Sequence, residues 1–237
     1  MAQFIQRIPR GVSIGIIAAL VALVALTAVM GDRFLFGAAT GKTTTHPLTV
    51  ATVSSSSQGT VFTLDDSGTV ASFTIHEVLF GQPNTVVGKT SQVSGQVSVN
   101  QQDPALSRVG EIRIDVSTLV TDNDLRNNII RTRILESDQS ANQYATFVPT
   151  SLKGLQTTPL AYGQQITFEI VGKLTIHQVT QPATFTAKAT LVNATTLTGT
   201  AQTTIKYADY GITIPSVPSV TGVPDTVVLA LTFTAHS

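Results

Sequence analysis

The side chains best suited to chemistry near neutral pH are four histidines: His46, His76, His177 and His236. A zinc site on one strand or helix needs two ligands a few residues apart, and no two of these meet that spacing. His76 and His177 read as strand-end or turn residues. His46 falls in a polar linker and His236 at the tail. Two carboxylate pairs, Asp65-Asp66 and Asp122 with Asp124, could serve as paired acids. They read better as a turn and a helix cap. Asp209-Tyr210-Gly211 could bring an acid and a phenol to one site, but it reads first as a tight turn in which Gly supplies positive φ. There is no Gly-x-Ser-x-Gly elbow and no phosphate-binding glycine loop. Asn193-Ala194-Thr195 is a glycosylation sequon only in a host that uses one. The chain has no cysteine, which excludes disulfides, thiolate chemistry and a lipoprotein anchor. None of these residues points to a cofactor, a metal or a catalytic centre, so the expectation is a protein that is not an enzyme.

Composition points the same way. Of 237 residues, 42% are apolar and only 12% are charged, with a formal net charge of zero. Nucleic-acid partners need a cationic face, and no basic surplus exists. The polar surface must be built from Thr, Ser, Gln and Asn, and Thr joins Val and Ile as a strand former.

The elements that would position a site fall into four segments. Residues 12–30 are apolar or small, interrupted only by Ser13, Gly15 and Thr27. As a helix this run would extend roughly 28 Å, close to the thickness of a hydrocarbon core. Arg7 and Arg10 precede it, and Asp32 and Arg33 follow. The expectation is a single-pass signal anchor over residues 12–31, with residues 1–11 cytoplasmic and the rest outside the membrane. Cleavage near Gly37-Ala38-Ala39, giving a secreted or periplasmic domain, is the alternative. A buried core helix is a third reading. Residues 32–60 form a Ser/Thr-rich linker, with Val50-Ala51-Thr52-Val53 as a stray strand within it.

Residues 61–237 carry the period-two pattern of half-buried strands. Phe73 and Ile75 alternate with Ser72, Thr74 and His76. Val93, Gly95, Val97 and Val99 alternate with Ser94, Gln96 and Ser98. Ile112 and Ile114 flank Arg113. Ile166, Phe168 and Ile170 run in phase through Gly172 to Leu174 and Ile176. Phe185, Ala187 and Ala189 continue, followed by 197–205 and 227–233. About eight strands result. One segment breaks the rhythm: Thr121 opens a capping-box pattern, and Leu125, Ile129, Ile130, Ile134 and Leu135 follow at helical spacing. Asp122 and Arg126 can pair across one turn.

An open sheet exposes its edges, whereas a barrel removes them. The expected fold is therefore all-β, a lipocalin-like antiparallel barrel with one short helical insertion. The inward set read from phase is Phe73, Ile75, Val97, Ile112, Ile114, Leu125, Ile129, Phe147, Phe168, Ile170, Leu174, Phe185, Leu229 and Phe233. Gly95, Gly172, Ala187, Ala189, Gly199 and Ala201 share that phase, and such slim side chains would leave apolar volume for a lipid chain. A packed core or sandwich with the small residues outward fits the periodicity equally well.

Several stretches, in order, resemble the YceI-like family of bacterial lipid/polyisoprenoid-binding domains. Ser72-Phe73-Thr74-Ile75-His76 resembles its opening strand. Residues 112–119, with Asp115, Ser117 and Leu119, are similar to its third strand and following turn. Residues 121–126, then Ile134-Leu135, resemble its helical insertion, and residues 144–147 the strand after it. Gly172-Lys173-Leu174-Thr175-Ile176, with Val179-Thr180 and Pro182, is similar to its most distinctive run. Asp209-Tyr210-Gly211-Ile212, with Val223 and Asp225, resembles its C-terminal signature. There are three departures. Asn127 stands where the family usually has an acid, Lys206 where it usually has Arg, and the usual Pro before Tyr144 is missing. The resemblance implies an extended lipocalin-like barrel holding a prenyl chain in its lumen. Together with the expected anchor, the function expected is binding of a polyisoprenoid or isoprenoid quinone at the outer face of the cytoplasmic membrane. This leaves open a homodimer. Two other functions compete: a structural or adhesive extracytoplasmic β domain, and a hydrolase of hydrophobic substrates. The hydrolase would require His76, His177 or Asp209 in one pocket.

Overall fold

β-Branched side chains dominate the C-terminal three quarters of the chain, and they pack best on a pleated surface. The protein is described from a computed structural model over residues 59–216 and 218–237. The expected anchor, residues 1–11 with their expected cytoplasmic placement, His46 and nearly all of the linker, including residues 50–53, lie outside the described residues. No helix among the described residues is long and apolar enough to cross a membrane.

Thirteen strands form one sheet. They are β1 (Thr60–Leu64), β2 (Val70–Leu79), β3 (Gln82–Thr90), β4 (Val93–Ser94), β5 (Gln96–Val99), β6 (Arg108–Val109) and β7 (Ile112–Asp115), then β8 (Tyr144–Lys153), β9 (Gln165–Ile176), β10 (Val179–Asn193), β11 (Thr196–Lys206), β12 (Val220–Thr221) and β13 (Thr226–His236). Every pairing is antiparallel, in the order β4-β7-β8-β9-β10-β11-β13-β1-β5-β6. One edge of β13 is shared. Val228–Thr232 pair with β2, whereas Ala235 and His236 pair with β1. β2 continues to β3 and β12. The sheet curls into a half-barrel with an apolar concave face.

The count of about eight strands is corrected to thirteen. Part of the excess comes from breaks: Gly95 alone separates β4 from β5, and Gly110-Glu111 separate β6 from β7. β3 escapes a reading by alternation because Pro83, Asn84, Gly88 and Lys89 interrupt its apolar phase.

The helical insertion forms as α1 (Asp124–Ile129), continuing into a π-turn at Ile130–Ile134. Its cap differs from the Thr121 box. Asn123 is the N-cap, its side chain accepting from the Arg126 N–H at 2.9 Å. Thr121 instead donates its backbone N–H and its hydroxyl to the buried Asn127 carboxamide, at 2.7 and 2.8 Å. An acid at 127 would also accept these bonds, but it would bring a charge into a buried position. Asn127 also donates to Asp124 at 3.4 Å. The Asp122–Arg126 pair forms as the spacing predicts. Asn127→Ala would leave the half-buried Thr121 backbone N–H without its acceptor, whereas the hydroxyl keeps the Asn123 carbonyl at 3.3 Å. We expect it to destabilise the domain by about 1–3 kcal/mol, read from chemical denaturation.

Local polar bonds set the turns that place the long strands. Asp115 accepts from the Ser117 backbone N–H at 3.0 Å and from its hydroxyl at 2.6 Å, closing the 3-10 turn Val116–Thr118. Gln143 donates to the other Asp115 oxygen at 2.9 Å, tying that turn to the start of β8. Asp65 accepts from Ser67 in the same manner, so Asp65-Asp66 is a turn. Its carboxyl is held below the usual aspartate range, first by the Ser67 backbone bond, then by the Ser67 hydroxyl.

Candidate lipid-binding face

In an antiparallel ladder, directly opposed residues share a face, so the register fixes what the concave side presents. Leu229 of β13 lies opposite Phe73 of β2, and Leu231 opposite Ala71. Phe73 faces Gly88 of β3, and Ile75 faces Val86. Phe233 faces Gly199, and Leu231 faces Ala201. Phe185 faces Ile170, and Ala187 faces Phe168. Ile112 faces Phe147, which in turn faces Leu174. Phe62 faces Val97. One apolar surface therefore runs around the inside of the sheet.

Of the fourteen residues predicted to line an apolar interior, Ile112, Phe147, Ile170 and Leu174 are buried members of one hydrophobic cluster. Val97, Ile114, Phe168, Phe185, Leu229 and Phe233 are half-buried and pack against it. Phe73 and Ile75 share the concave face by register and are half-buried. The two helix residues do not join the cluster. Leu125 is half-buried outside it, and Ile129 is 36% exposed. Ile130 takes the buried helical position instead, at 8%. Helical spacing alone admits either neighbour; the docking angle of the helix selects one.

The expectation that small residues leave room is corrected at the glycines. A Cβ built on Gly88 would lie 2.1 Å from the Phe73 ring. On Gly199 it would lie 2.7 Å from the Phe233 ring and 2.4 Å from the Lys188 carbonyl oxygen. On Gly172 it would lie 2.7 Å from the Phe147 ring and 2.5 Å from the Val148 carbonyl oxygen. On Gly95 it would meet the Ile112 side chain at 2.4 Å. Neighbouring side chains have folded over each glycine, and three of the four are phenylalanine rings, a packing known to compensate for glycine in strands.

Burial is uneven along the concave face. Around Phe62, Leu64, Val93, Leu197 and Ala235 the side chains are sealed. Toward the β2–β3 turn and the start of β13, Phe73, Ile75, Val227, Leu229 and Leu231 keep part of their surface accessible, although they point inward. That turn has Phe80 at φ 49 and Gly81 at φ 79. Phe80 is 65% exposed, and its backbone N–H donates to the Ser219 carbonyl at 2.9 Å. A bulky apolar residue with positive φ is strained.

The polar candidates are dispersed. His76 lies on the outer face of β2 and shares a 3.0 Å hydrogen bond with Thr85. His177 occupies the β9–β10 turn, 3.5 Å from Glu136. His236 ends β13, 3.6 Å from Asp65. Asp209 is exposed on the 3-10 turn Tyr207–Tyr210, which Gly211 ends at φ 69. Tyr210 is buried to 2%; burial, then the Asp209 charge, pushes its phenol pKa up. Among the described residues no hydrogen bond or ion pair joins any two of His76, His177 and Asp209. No cluster of three potential ligands could hold a metal among those residues. Lys206 pairs with Asp225 at 3.4 Å on the surface, where a lysine keeps the charge contact with no buried fork to satisfy. Asn193 caps its own turn by accepting from the Thr195 N–H at 2.9 Å.

The YceI-like domain model matches residues 62–235, which is most of the chain and all of this sheet except Thr60, Val61 and His236. The chain belongs to the YceI-like domain family. The YceI-like domain is similar to a polyisoprenoid binding domain from Saccharophagus degradans implicated in plant cell wall breakdown. Identity is 18%, with 74% of this chain and 98% of that one covered, at a TM-score of 0.57. It is also similar to BcnA of Burkholderia cenocepacia, at 19% identity over 72% of this chain and 98% of that one, with a TM-score of 0.56. At such identities the likeness is one of fold. No curated protein matches the chain. In this YceI-like domain the residues that carry the family resemblance build structure: Asp115 and Ser117 close a turn, Gly172 admits the Phe147 ring, and Tyr210 with Gly211 anchors the bend after β11.

Proposed function

We propose that the YceI-like domain binds a long apolar lipid of the polyisoprenoid type along its concave face, without catalysis. One observation carries this reading. Phe73, Ile75, Leu229 and Leu231 point inward yet remain half-accessible, beside a sealed core. Apolar surface left in contact with water on a concave face is the usual mark of a binding site. A prenyl chain laid there would contribute roughly 0.8 kcal/mol per buried CH₂, so two or three five-carbon units offset the ordering cost with no strong headgroup contact. The same chemistry would accept an isoprenoid quinone tail. The likeness to the polyisoprenoid binding domain of Saccharophagus degradans supports the reading.

We extend it in two respects. The strands act as a closed barrel around the ligand, because the two ends of the sheet path, β4 and β6, are each only one or two residues from the strands β5 and β7. The apolar segment 12–31 tethers the domain at the outer face of the cytoplasmic membrane, where such a lipid is collected; the arginines before it support this orientation.

Organic extraction of the purified protein followed by mass spectrometry tests the binding. An isoprenoid recovered near one equivalent supports it. Lipid-free protein that also fails to take up geranylgeraniol would end it. Membrane fractionation with and without residues 1–31 tests the tether; both forms in the soluble fraction would exclude it.

A further inference from the structure

Among the described strand residues, one charged side chain takes the concave phase. Counting inward along β2, the side chains run Ala71, Phe73, Ile75 and then Glu77. The charged residues of β7 to β11, including Arg113, Lys153, Glu169, Lys173, Lys188 and Lys206, take the opposite phase. Glu77 is opposed in register by Asn84 of β3, and the Asn84 amide donates to the Glu77 carboxylate at 2.7 Å. Both side chains are half-buried. Glu77 makes no other hydrogen bond or ion pair among the described residues. A carboxylate offers about four acceptor sites, so Asn84 leaves most of them free.

The pair interrupts the accessible apolar stripe close to the β2–β3 turn, with only Leu79 beyond it in the same phase, opposite Gln82. Ile75 and Val86 are the next opposed residues inward, with Phe73 and Gly88 beyond them. A lipid whose tail lies along Phe73, Ile75 and Leu229 would present its polar end to Glu77. An ionised carboxylate only accepts hydrogen bonds. It favours a headgroup that donates, and it repels a phosphate or diphosphate brought to the same low-dielectric edge.

We propose that Glu77, held by Asn84, is the headgroup-selecting site of this domain, and that it admits prenyl lipids ending in a hydroxyl donor while rejecting prenyl phosphates and diphosphates. A terminal alcohol and a hydroquinone offer the same donor. This proposal rests on the lipid-binding reading above and names the ligand class for it.

The test measures binding of geranylgeraniol and geranylgeranyl diphosphate to the full-length protein. The tails are identical, so the ratio of affinities reports the headgroup alone. The expected ratio is about tenfold or more in favour of the alcohol, the scale of one charge-assisted hydrogen bond. Glu77→Gln keeps the shape and the capacity to accept from Asn84 but removes the charge. It should bring the ratio to within about threefold of unity, by weakening the alcohol's charge-assisted bond and relieving the repulsion of the diphosphate, with an unchanged thermal midpoint. A wild-type protein that binds both equally or prefers the diphosphate overturns the proposal and leaves tail binding intact. So does a Glu77→Gln ratio equal to that of the wild type. If the wild type binds neither compound, both this proposal and the lipid-binding reading fall. Geranylgeraniol should bind Asn84→Ala more weakly than it binds the wild type, because the carboxylate loses its positioning partner; equal affinity would overturn the role given to Asn84.

Discussion

Gly199→Ala is expected to destabilise the domain by about 3 kcal/mol, among the largest effects of adding a single carbon anywhere in the sheet. Alanine is ordinarily the better strand residue, since glycine costs more conformational entropy on folding. Here the added Cβ would sit 2.4 Å from the Lys188 carbonyl oxygen and 2.7 Å from the Phe233 ring. The ring can rotate away, but the carbonyl belongs to the ladder between β10 and β11 and cannot move without breaking it. Overpacking of this kind costs typically 1–3 kcal/mol, with backbone clashes at the top of the range. For a domain of this size the thermal midpoint should fall by roughly 6–12 °C. Gly172→Ala should behave alike, because the Val148 carbonyl stands at 2.5 Å. Gly81→Ala is the control. Nothing lies within 4 Å of that site, and only its φ of 79 opposes a side chain, at about 1 kcal/mol. A Gly199→Ala midpoint within a degree of the wild type would show that no close approach exists there.

Leu229→Asp should lower lipid occupancy at least about thirtyfold while leaving the sheet folded. Leu229 lies on the concave face between Phe73 of β2 and Thr203 of β11. Its half-accessible side chain can hold a hydrated carboxylate, so the cost to folding should stay near 1–2 kcal/mol. The ligand is affected more. A charge beside the tail forces either the carboxylate or several methylenes to give up favourable surroundings. Losing two to three CH₂ contacts at roughly 0.8 kcal/mol each is about 2 kcal/mol, which is thirtyfold in affinity. Val148→Asp is the matched control, as that side chain is 45% exposed on the outer face of β8. Titration with geranylgeraniol, with circular dichroism to establish folding, separates the two effects. Equal binding by both variants would place the tail elsewhere.

Much of this architecture was legible from residue types and spacing. The alternation in 112–115, 166–176, 197–205 and 227–233 locates β7, β9, β11 and β13, because a strand with one buried face must repeat every second residue. The helix was placed correctly by its 3–4 spacing, but its cap was not. Thr121 and Asn123 both have side chains that cap, and the choice depended on Asn127, six residues from Thr121, having a buried carboxamide to offer it. β3 was missed, as its partner β2 supplies the regularity that its own sequence lacks.

The candidate face was half legible. Strand phase identifies Phe73, Leu229 and Phe233 as sharing one side, and no distance is needed for that. Phase says nothing about how neighbours share volume. Gly88, Gly172 and Gly199 look like vacancies in one dimension, yet a phenylalanine from the neighbouring strand fills each of them. Glu77 was overlooked for a related reason: a single acid near the end of an apolar alternation is an ordinary strand terminus until the register sets Asn84 opposite it.

The chain's own order of residues determined that the described domain would be β-rich, with a neutral polar exterior, one short α-helix and a family resemblance spread in sequence from end to end of it. These follow from local propensity and periodicity, which act over a few residues. Tertiary structure alone decided which glycines a ring would cover, which helical isoleucine would be buried and which apolar side chains would stay accessible. Those outcomes depend on cross-strand register and sheet curvature, which join residues far apart in the chain and leave no mark on any short window of it.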